Sequence, residues 1–168
     1  MKDLVELFDS IGYAGPILIL LINIHTFLYR KQYLYVYLIS IVFNSFLNSS
    51  LKYICRIPRQ SDQIPFSKYE NFDGVNAYGM PSGHAQSVFF STMFLYLGQA
   101  DSYSRILAAF ICCLTLIQRY KYRRHTAYEL VIGSFIGMCL AYAIFNTTSN
   151  CLKTRVHNTV SNECVNAS

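Results

Sequence analysis

The chain has 168 residues, of which 53% are hydrophobic and only 14% are charged, and its mean hydropathy is +0.28. Soluble domains usually carry about 25% charged residues, so this composition excludes an ordinary soluble enzyme and predicts a small integral membrane protein with a single domain. The net charge of +5 fits contact with anionic lipids. It does not indicate nucleic-acid binding, because the arginines lie at the ends of apolar segments.

Five apolar segments follow one another along the chain, at residues 11–29, 33–53, 85–97, 106–117 and 127–145. The first, second and fifth approach the roughly 20 residues that a membrane-spanning helix needs, whereas the third and fourth span only if their polar flanks continue the helices. We therefore expect an all-α, polytopic membrane bundle of about five transmembrane helices. Residues 1–150 are expected to form one membrane-embedded domain and residues 151–168 a polar C-terminal tail. Poor order is expected from residue 146 onward.

The connections between these segments predict where the polar residues meet. Three connections are short and make antiparallel neighbours, whereas the loop at about 55–80 is long and is expected to act as a lid or an interfacial loop. Alternating spans place the end of the second segment, the start of the third, the end of the fourth and the start of the fifth on one membrane face. The polar residues near these ends are Lys52, Arg56, Arg59, Ser82, His84, Arg119, Arg124, His125 and Glu129.

Such a cluster of cations is suited to binding an anion. Arginine holds phosphate oxygens with two parallel N–H groups, and lysine acts as a point charge. Ser82, Gly83 and His84 lie where a helix begins, so free backbone N–H groups and the positive end of the helix dipole add to the site. Glycine at position 83 would let the backbone approach a ligand oxygen closely.

His125 and Glu129 are four residues apart, which places them on one face of a helix. A carboxylate in this position can hold one imidazole nitrogen and leave the other free to act as a nucleophile. An ionisable residue such as Glu129 near the start of a membrane segment also indicates a functional role.

Three motifs, in order over the central part of the chain, resemble those of the type 2 phosphatidic acid phosphatase superfamily. Lys52 and Arg59 resemble the first motif, and the tetrad Pro81-Ser82-Gly83-His84 is identical to the second. The third motif is matched by Arg119, His125 and Glu129. The stretch YGMPSGHAQ, residues 78–86, is also similar to the polyprenyl (dolichyl) diphosphate phosphatases of this superfamily.

The resemblance implies a metal-independent lipid phosphate phosphatase without a cofactor. His125 would attack phosphorus and form a phosphohistidine, His84 would protonate the leaving oxygen and then activate water, and Glu129 would orient His125. The substrate would be a phosphomonoester or diphosphate of a membrane lipid. Its equatorial oxygens would be held by Lys52, Arg59, Ser82, Gly83 and Arg119.

Four departures from the family pattern keep an alternative open. Gln60 stands where the family usually has proline, Gln118 where it has serine, and Glu129 where it has aspartate. Membrane members usually have six spans, so five imply that one N-terminal span is absent. The alternative is a catalytically weak or inactive relative that binds lipid phosphate or serves as a structural membrane protein. A transporter or channel is disfavoured because the cluster lies at one face.

Two further expectations concern the remaining cations. Arg56, Lys121, Arg123 and Arg124 are interpreted as interfacial anchors, with screening of a second phosphate as the other possibility.

The orientation in the membrane is predicted differently by two arguments. Counting positive charges alone puts the site face in the cytosol, whereas the family resemblance implies an extracytoplasmic or lumenal site. We adopt the second, because catalytic cations bias the count. The cations counted on that face are Lys52, Arg56, Arg59, Lys68, Arg119, Lys121, Arg123 and Arg124.

Overall fold

The structure, a computed structural model, describes residues 2–66 and 74–166, with side chains beyond Cys151 described only at Thr154. Lys68 lies outside the described residues. The described part of the chain forms five α-helices and one short 3₁₀ helix. These are α1 (Lys2–Phe27), α2 (Lys31–Cys55), the 3₁₀ helix Gly74–Ala77, α3 (Gly83–Leu97), α4 (Ser102–Lys121) and α5 (Ala127–Asn166).

Three of these helices are long and apolar enough to cross a membrane: α1, α2 and residues 127–151 of α5. They correspond to the three segments that the sequence singled out by length. α3 has only 15 residues, so it is shorter than a helix that spans the full membrane depth. The expected all-α membrane bundle is confirmed.

α5 extends beyond residue 145, where the last apolar segment ends. The helix reaches Asn166, and beyond Gly137 the chain has no glycine or proline that would end a helix. Poor order of the polar tail stays a prediction.

α3 lies at the centre of the bundle and contacts the other four helices, most extensively α5. Glycines permit this close approach: a Cβ atom at Gly133 would lie 2.6 Å from the carbonyl oxygen of Ser82, and one at Gly137 would clash with the carbonyl of Gln86. These glycines are four residues apart on α5, the spacing that lets membrane helices pack backbone to backbone. The start of α3 is thereby fixed against the first turns of α5.

An aromatic cluster fills the bundle interior on the side away from the long loop. There Phe94 contacts Phe27, Tyr37 and Phe145 with ring centroids 5.2–5.8 Å apart. At the opposite end the helix termini carry the polar residues that the sequence brings to one membrane face. The aromatic core holds the helices in register and leaves this polar end open for a site.

Candidate active site

A cavity of about 310 Å³ opens between the helix ends at the polar end of the bundle. Residues from α1, α2, the long loop, α3, α4 and the α4–α5 turn contribute to its wall. They are Tyr13, Ser45, Asn48, Ser49, Lys52, Arg59, Val75, Asn76, Gly83, His84, Arg119, Arg124 and His125. Elements distant in sequence thus converge as the alternating spans predicted.

The start of α3 forms one wall of the cavity. Ser82 is fully buried and caps the helix, since its hydroxyl oxygen accepts a hydrogen bond from the backbone N–H of Ala85 at 3.4 Å. Asn48 on α2 donates to the carbonyl of Pro81 at 3.3 Å and to Gln86 at 2.8 Å. A Cβ atom at Gly83 would lie only 2.9 Å from the Asn48 amide oxygen. Gly83 is therefore required for α2 to approach the helix terminus this closely.

The turn between α4 and α5 forms the opposite wall. Arg123 adopts a left-handed backbone conformation with φ of 52°, and the backbone N–H of Arg124 donates to the carbonyl of Arg119 at 2.9 Å. This reversal ends α4 and turns Arg124 and His125 toward the cavity. Both side chains are almost completely buried.

His125 and Glu129 make the contact that their spacing predicted. Nδ1 of His125 lies 3.2 Å from Oε2 of Glu129, and both side chains are buried. The same oxygen accepts the backbone N–H of Thr126 at 2.9 Å, while the Thr126 hydroxyl accepts the backbone N–H of Glu129 at 3.2 Å. This reciprocal pair is a capping box at the start of α5. Glu129 therefore both caps its helix and holds the imidazole.

The pKa of His125 is lowered to about 4, chiefly because burial penalises the charged ring. The hydrogen bond to Glu129 opposes this shift, whereas the nearby positive charge of Arg59 adds to it. His125 is consequently neutral at physiological pH. Its Nε2 atom faces the cavity, where it accepts a hydrogen bond from Nη1 of Arg59 at 3.4 Å.

The long loop delivers Arg59 to the cavity. The Arg59 guanidinium donates from Nε to the carbonyl of Asn76 at 2.6 Å and from Nη1 to the carbonyl of Arg124 at 3.0 Å. Backbone hydrogen bonds from Arg59 to Ala77 and from Gly79 to Ile57 join the two arms of the loop. Burial lowers the pKa of Arg59, yet it stays cationic because the ordinary value is far above neutrality.

His84 and Arg119 meet on the third side of the cavity. Nη2 of Arg119 lies 2.5 Å from Nε2 of His84. A guanidinium has only donors, so Nε2 of His84 accepts in this arrangement and the ring proton belongs on Nδ1. Arg119 is 4% exposed, and Lys52, which also lines the cavity, is 5% exposed.

The structure brings together all the residues that the sequence selected. Of these, Lys52, Arg59, Gly83, His84, Arg119 and His125 line the cavity, while Ser82 and Glu129 lie directly behind its wall. The expectation of direct contact between the Ser82 hydroxyl and phosphate remains a prediction.

The structure differs from the sequence interpretation at Arg124. The sequence favours an interfacial anchor at this position, as for three other cations, with screening of a second phosphate as the other possibility. In the structure Arg124 is buried, lines the cavity and donates to Gln63 at 3.2 Å. The left-handed turn at Arg123 directs it inward. The other three do lie outside the cavity: Arg56 is exposed, Lys121 pairs with Asp9, and Arg123 pairs with Asp62.

Sequence reasoning also missed Tyr13 and Asn48. A signal existed for Asn48, because Asn44, Asn48 and Lys52 recur every four residues within an apolar segment and so form a polar stripe on α2. Tyr13 carries no such signal, since tyrosines are common near membrane helix ends. Among the described residues, no group of three or more His, Cys, Asp or Glu side chains is arranged to hold a metal ion.

Comparison with known proteins shows the family to which this chain belongs. Residues 33–153, most of the chain, match the family model of the PAP2 superfamily. The fold is similar to the crystal structure of the first transmembrane PAP2 type phosphatidylglycerolphosphate phosphatase from Bacillus subtilis, with a TM-score of 0.66 and 22% sequence identity, covering 89% of this chain and 79% of that one. No curated protein matches the chain significantly. The extent of the family match shows that this chain belongs to the PAP2 superfamily.

Proposed function

We propose that this protein is a metal-independent lipid phosphate phosphatase that works through a phosphohistidine intermediate on His125. The observation that carries the proposal is the pairing of a neutral, oriented His125 with a second histidine, His84, across one small cationic cavity. Membership of the PAP2 superfamily supports a phosphatase in general. The catalytic roles are inferred from geometry and charge.

In the first step Nε2 of His125 attacks the phosphorus atom. The N–P bond forms as the bond to the leaving oxygen breaks, and His84 supplies the proton that this oxygen takes up. Glu129 holds Nδ1 and stabilises the positive charge that His125 gains on attack. In the second step His84 removes a proton from water, whose oxygen displaces His125 and releases inorganic phosphate.

His84 must release its contact with Arg119 before it can act as the acid. In the present arrangement Arg119 donates to Nε2 of His84, so this nitrogen cannot carry the proton at the same time. A phosphate oxygen is a stronger acceptor for a guanidinium than an imidazole nitrogen. Substrate binding would thus draw Arg119 to the phosphate. Nε2 of His84 would then take up a proton from water, favoured by the negative charge of the phosphate, and this is the proton that passes to the leaving oxygen.

The phosphate itself would be held by charge and by the start of α3. Lys52, Arg59 and Arg119 supply cations, and Gly83 supplies a backbone N–H at the positive end of the helix dipole. Arg124, which the structure adds to the wall, supplies a fourth cation. Fixed donors of this kind stabilise the charge that develops on the equatorial oxygens in the transition state.

The substrate class we propose is a membrane lipid carrying a phosphomonoester or diphosphate. The similar fold belongs to a phosphatidylglycerolphosphate phosphatase, which favours a glycerolipid phosphomonoester, whereas the stretch around Pro81 resembles polyprenyl diphosphate phosphatases. The cavity accommodates a phosphate between four cations, and its position at a helix-end face lets the lipid tail remain in the bilayer.

A phosphate-release screen tests this function. Purified protein in detergent is offered phosphatidic acid, phosphatidylglycerolphosphate and a polyprenyl diphosphate, in parallel with His84→Ala and His125→Ala. We expect release from at least one lipid without added metal and a loss of about 1,000-fold or more in each variant. Equal rates for wild type and His125→Ala with every lipid would exclude the enzyme and leave the inactive, phosphate-binding relative.

We also propose that the cavity faces the extracytoplasmic or lumenal side. Two native cysteines report on this, because Cys55 is exposed at the end of α2 beside the site and Cys151 is exposed at the far end of the α5 span. Variants retaining only one of them can be treated with a membrane-impermeant maleimide in intact cells. The proposal predicts labelling of Cys55 and protection of Cys151, and the reverse pattern would place the site in the cytosol.

A further inference from the structure

We propose that Tyr13, on the helix that precedes the family-matched residues 33–153, is a positioning residue for the phosphate-binding Arg119. The inference rests on the proposed function, since it concerns the same cavity. Tyr13 lines that cavity, and the Arg119 guanidinium carbon lies 5.1 Å from the centroid of its ring. The ring also lies 6.2 Å from that of His84, so Tyr13 contacts both members of the pair.

An aromatic partner has a specific advantage for a buried arginine that must bind phosphate. A carboxylate would neutralise the guanidinium and occupy the N–H groups that a phosphate needs. A ring face stabilises the cation through its quadrupole and leaves the N–H groups in the guanidinium plane directed elsewhere. The face of the Tyr13 ring therefore restricts where Arg119 lies without itself occupying the N–H groups of the guanidinium.

Contacts of neighbouring α1 residues with α4 and the turn after it fix the position of Tyr13 relative to α4. One turn earlier, Asp9 is buried and accepts hydrogen bonds from Lys121 at 2.5 Å and Tyr122 at 2.9 Å. Next to Tyr13, a Cβ atom at Gly12 would lie 2.5 Å from the carbonyl oxygen of Leu114. α1 and α4 are therefore in backbone contact, which holds the Tyr13 ring in a constant place against Arg119.

The long loop closes the outer side of the ring. Phe66 lies 5.1 Å from Tyr13 and 5.1 Å from Tyr122, ring centroid to ring centroid. Tyr13 is thus packed between α4, the loop and His84, and a change of its rotamer would require several neighbours to move. This packing distinguishes Tyr13 from tyrosines such as Tyr103, which is 76% exposed at the other end of the bundle.

The test compares the vanadate affinity of three variants. Tyr13→Phe keeps the ring, Tyr13→Leu removes it, and Tyr103→Leu repeats the same chemical change at an exposed position. Inorganic orthovanadate, a phosphate analogue, is titrated into each purified protein by calorimetry, so binding is measured whether or not a lipid is hydrolysed. We expect Tyr13→Leu to raise the Kd about 10-fold, and the other two variants to stay within about twofold of wild type.

The outcomes test the positioning role of Tyr13 and the proposed phosphatase function separately. An unchanged Kd in Tyr13→Leu, or an equal loss in Tyr13→Phe, would overturn the proposal, because a positioning ring must act through its face. If Tyr13→Leu does not fold, Tyr13→Met offers a longer, more adaptable side chain that also lacks a ring, and the same 10-fold criterion applies. A wild type that binds vanadate but hydrolyses no lipid would refute the proposed function alone. A wild type that does not bind vanadate would refute the positioning role.

Discussion

The carboxylate of Glu129 holds Nδ1 of His125 at 3.2 Å while it caps the first turn of α5 through the backbone N–H of Thr126 at 2.9 Å. The family usually has aspartate here, and the longer side chain explains how one residue serves both contacts. Glutamate is the residue that a capping box favours three positions after a threonine cap. Gly79 leaves room for the extra methylene, because a Cβ atom there would clash with the Glu129 carboxylate.

Two substitutions at Glu129 distinguish the effect of its negative charge from the effect of its side-chain length. Glu129→Gln can still accept from Thr126 in the capping box, so we expect the thermal unfolding temperature to change little while kcat falls about 100-fold or more. Glu129→Asp shortens the side chain by one methylene and withdraws the carboxylate from His125, with a loss of about 10-fold or more expected. Steady-state kinetics and thermal unfolding in the same detergent provide both readings. A Glu129→Gln protein within twofold of wild type would refute the orienting role.

The protonation of His125 gives a second prediction. We expect its ring to titrate near pH 4, well below the ordinary value of about 6.5. NMR of protein with ¹³C-labelled histidine rings measures this directly, and the His125→Ala spectrum assigns the signal among the four histidines. A titration midpoint at or above pH 6.5 would contradict a neutral nucleophile held in a buried site.

The same shift predicts how stability depends on pH. Between about pH 4 and pH 6.5 the unfolded state binds more protons at this residue than the folded state does. The contribution of His125 is therefore fully present above about pH 6.5 and is lost progressively as the pH falls toward 4. Thermal unfolding of wild type and His125→Ala over this range measures the difference in stability between the two proteins. This difference should become smaller as the pH falls.

Close packing between α3 and α5 predicts a stability effect away from the chemistry. Gly137→Ala would drive a methyl group into the backbone carbonyl of Gln86, and we expect a loss of about 1–3 kcal/mol in the free energy of unfolding. Val131→Ala is a suitable control because Val131 is on the same helix and 65% exposed. Equal unfolding temperatures for the two variants would show that α5 can move away without cost.

Metal removal gives a further expected outcome. The proposed mechanism uses protein cations and two histidines, so phosphate release should be unchanged after treatment with EDTA and dialysis. The measurement is the initial rate on the best lipid from the release screen, with Mg²⁺ or Zn²⁺ added back afterwards. A rate that falls more than about 10-fold with EDTA and recovers with one cation would require a metal-dependent mechanism.

The sequence predicted the membrane bundle and the convergence of its polar ends, because apolar segment length and alternating direction leave few arrangements open. It also predicted the His125–Glu129 contact, since residues four apart on a helix share a face. It could not predict that Arg124 turns inward, because that depends on the left-handed turn at Arg123. The contact between Tyr13 and Arg119 could not be predicted either, since it depends on packing between α1 and α4, which are distant in sequence.

The C-terminal end of α5 cannot be read from composition. Loss of hydrophobicity after residue 145 predicts where the apolar segment ends. A helix keeps its backbone hydrogen bonds within itself and can continue through polar residues until a breaker occurs, so the helix end at Asn166 does not follow from hydrophobicity.

The most direct test of the account is to trap the phosphoenzyme. Wild type, His84→Ala and His125→Ala are mixed with a ³²P-labelled lipid substrate, quenched within milliseconds to seconds, and examined for protein-bound label that is labile in acid and stable in base. The account predicts label in wild type, more label in His84→Ala if the second step is slowed further than the first, and none in His125→Ala. Label of this kind on His125→Ala, or its absence from a wild type that turns over, would contradict the assignment of His125 as the nucleophile.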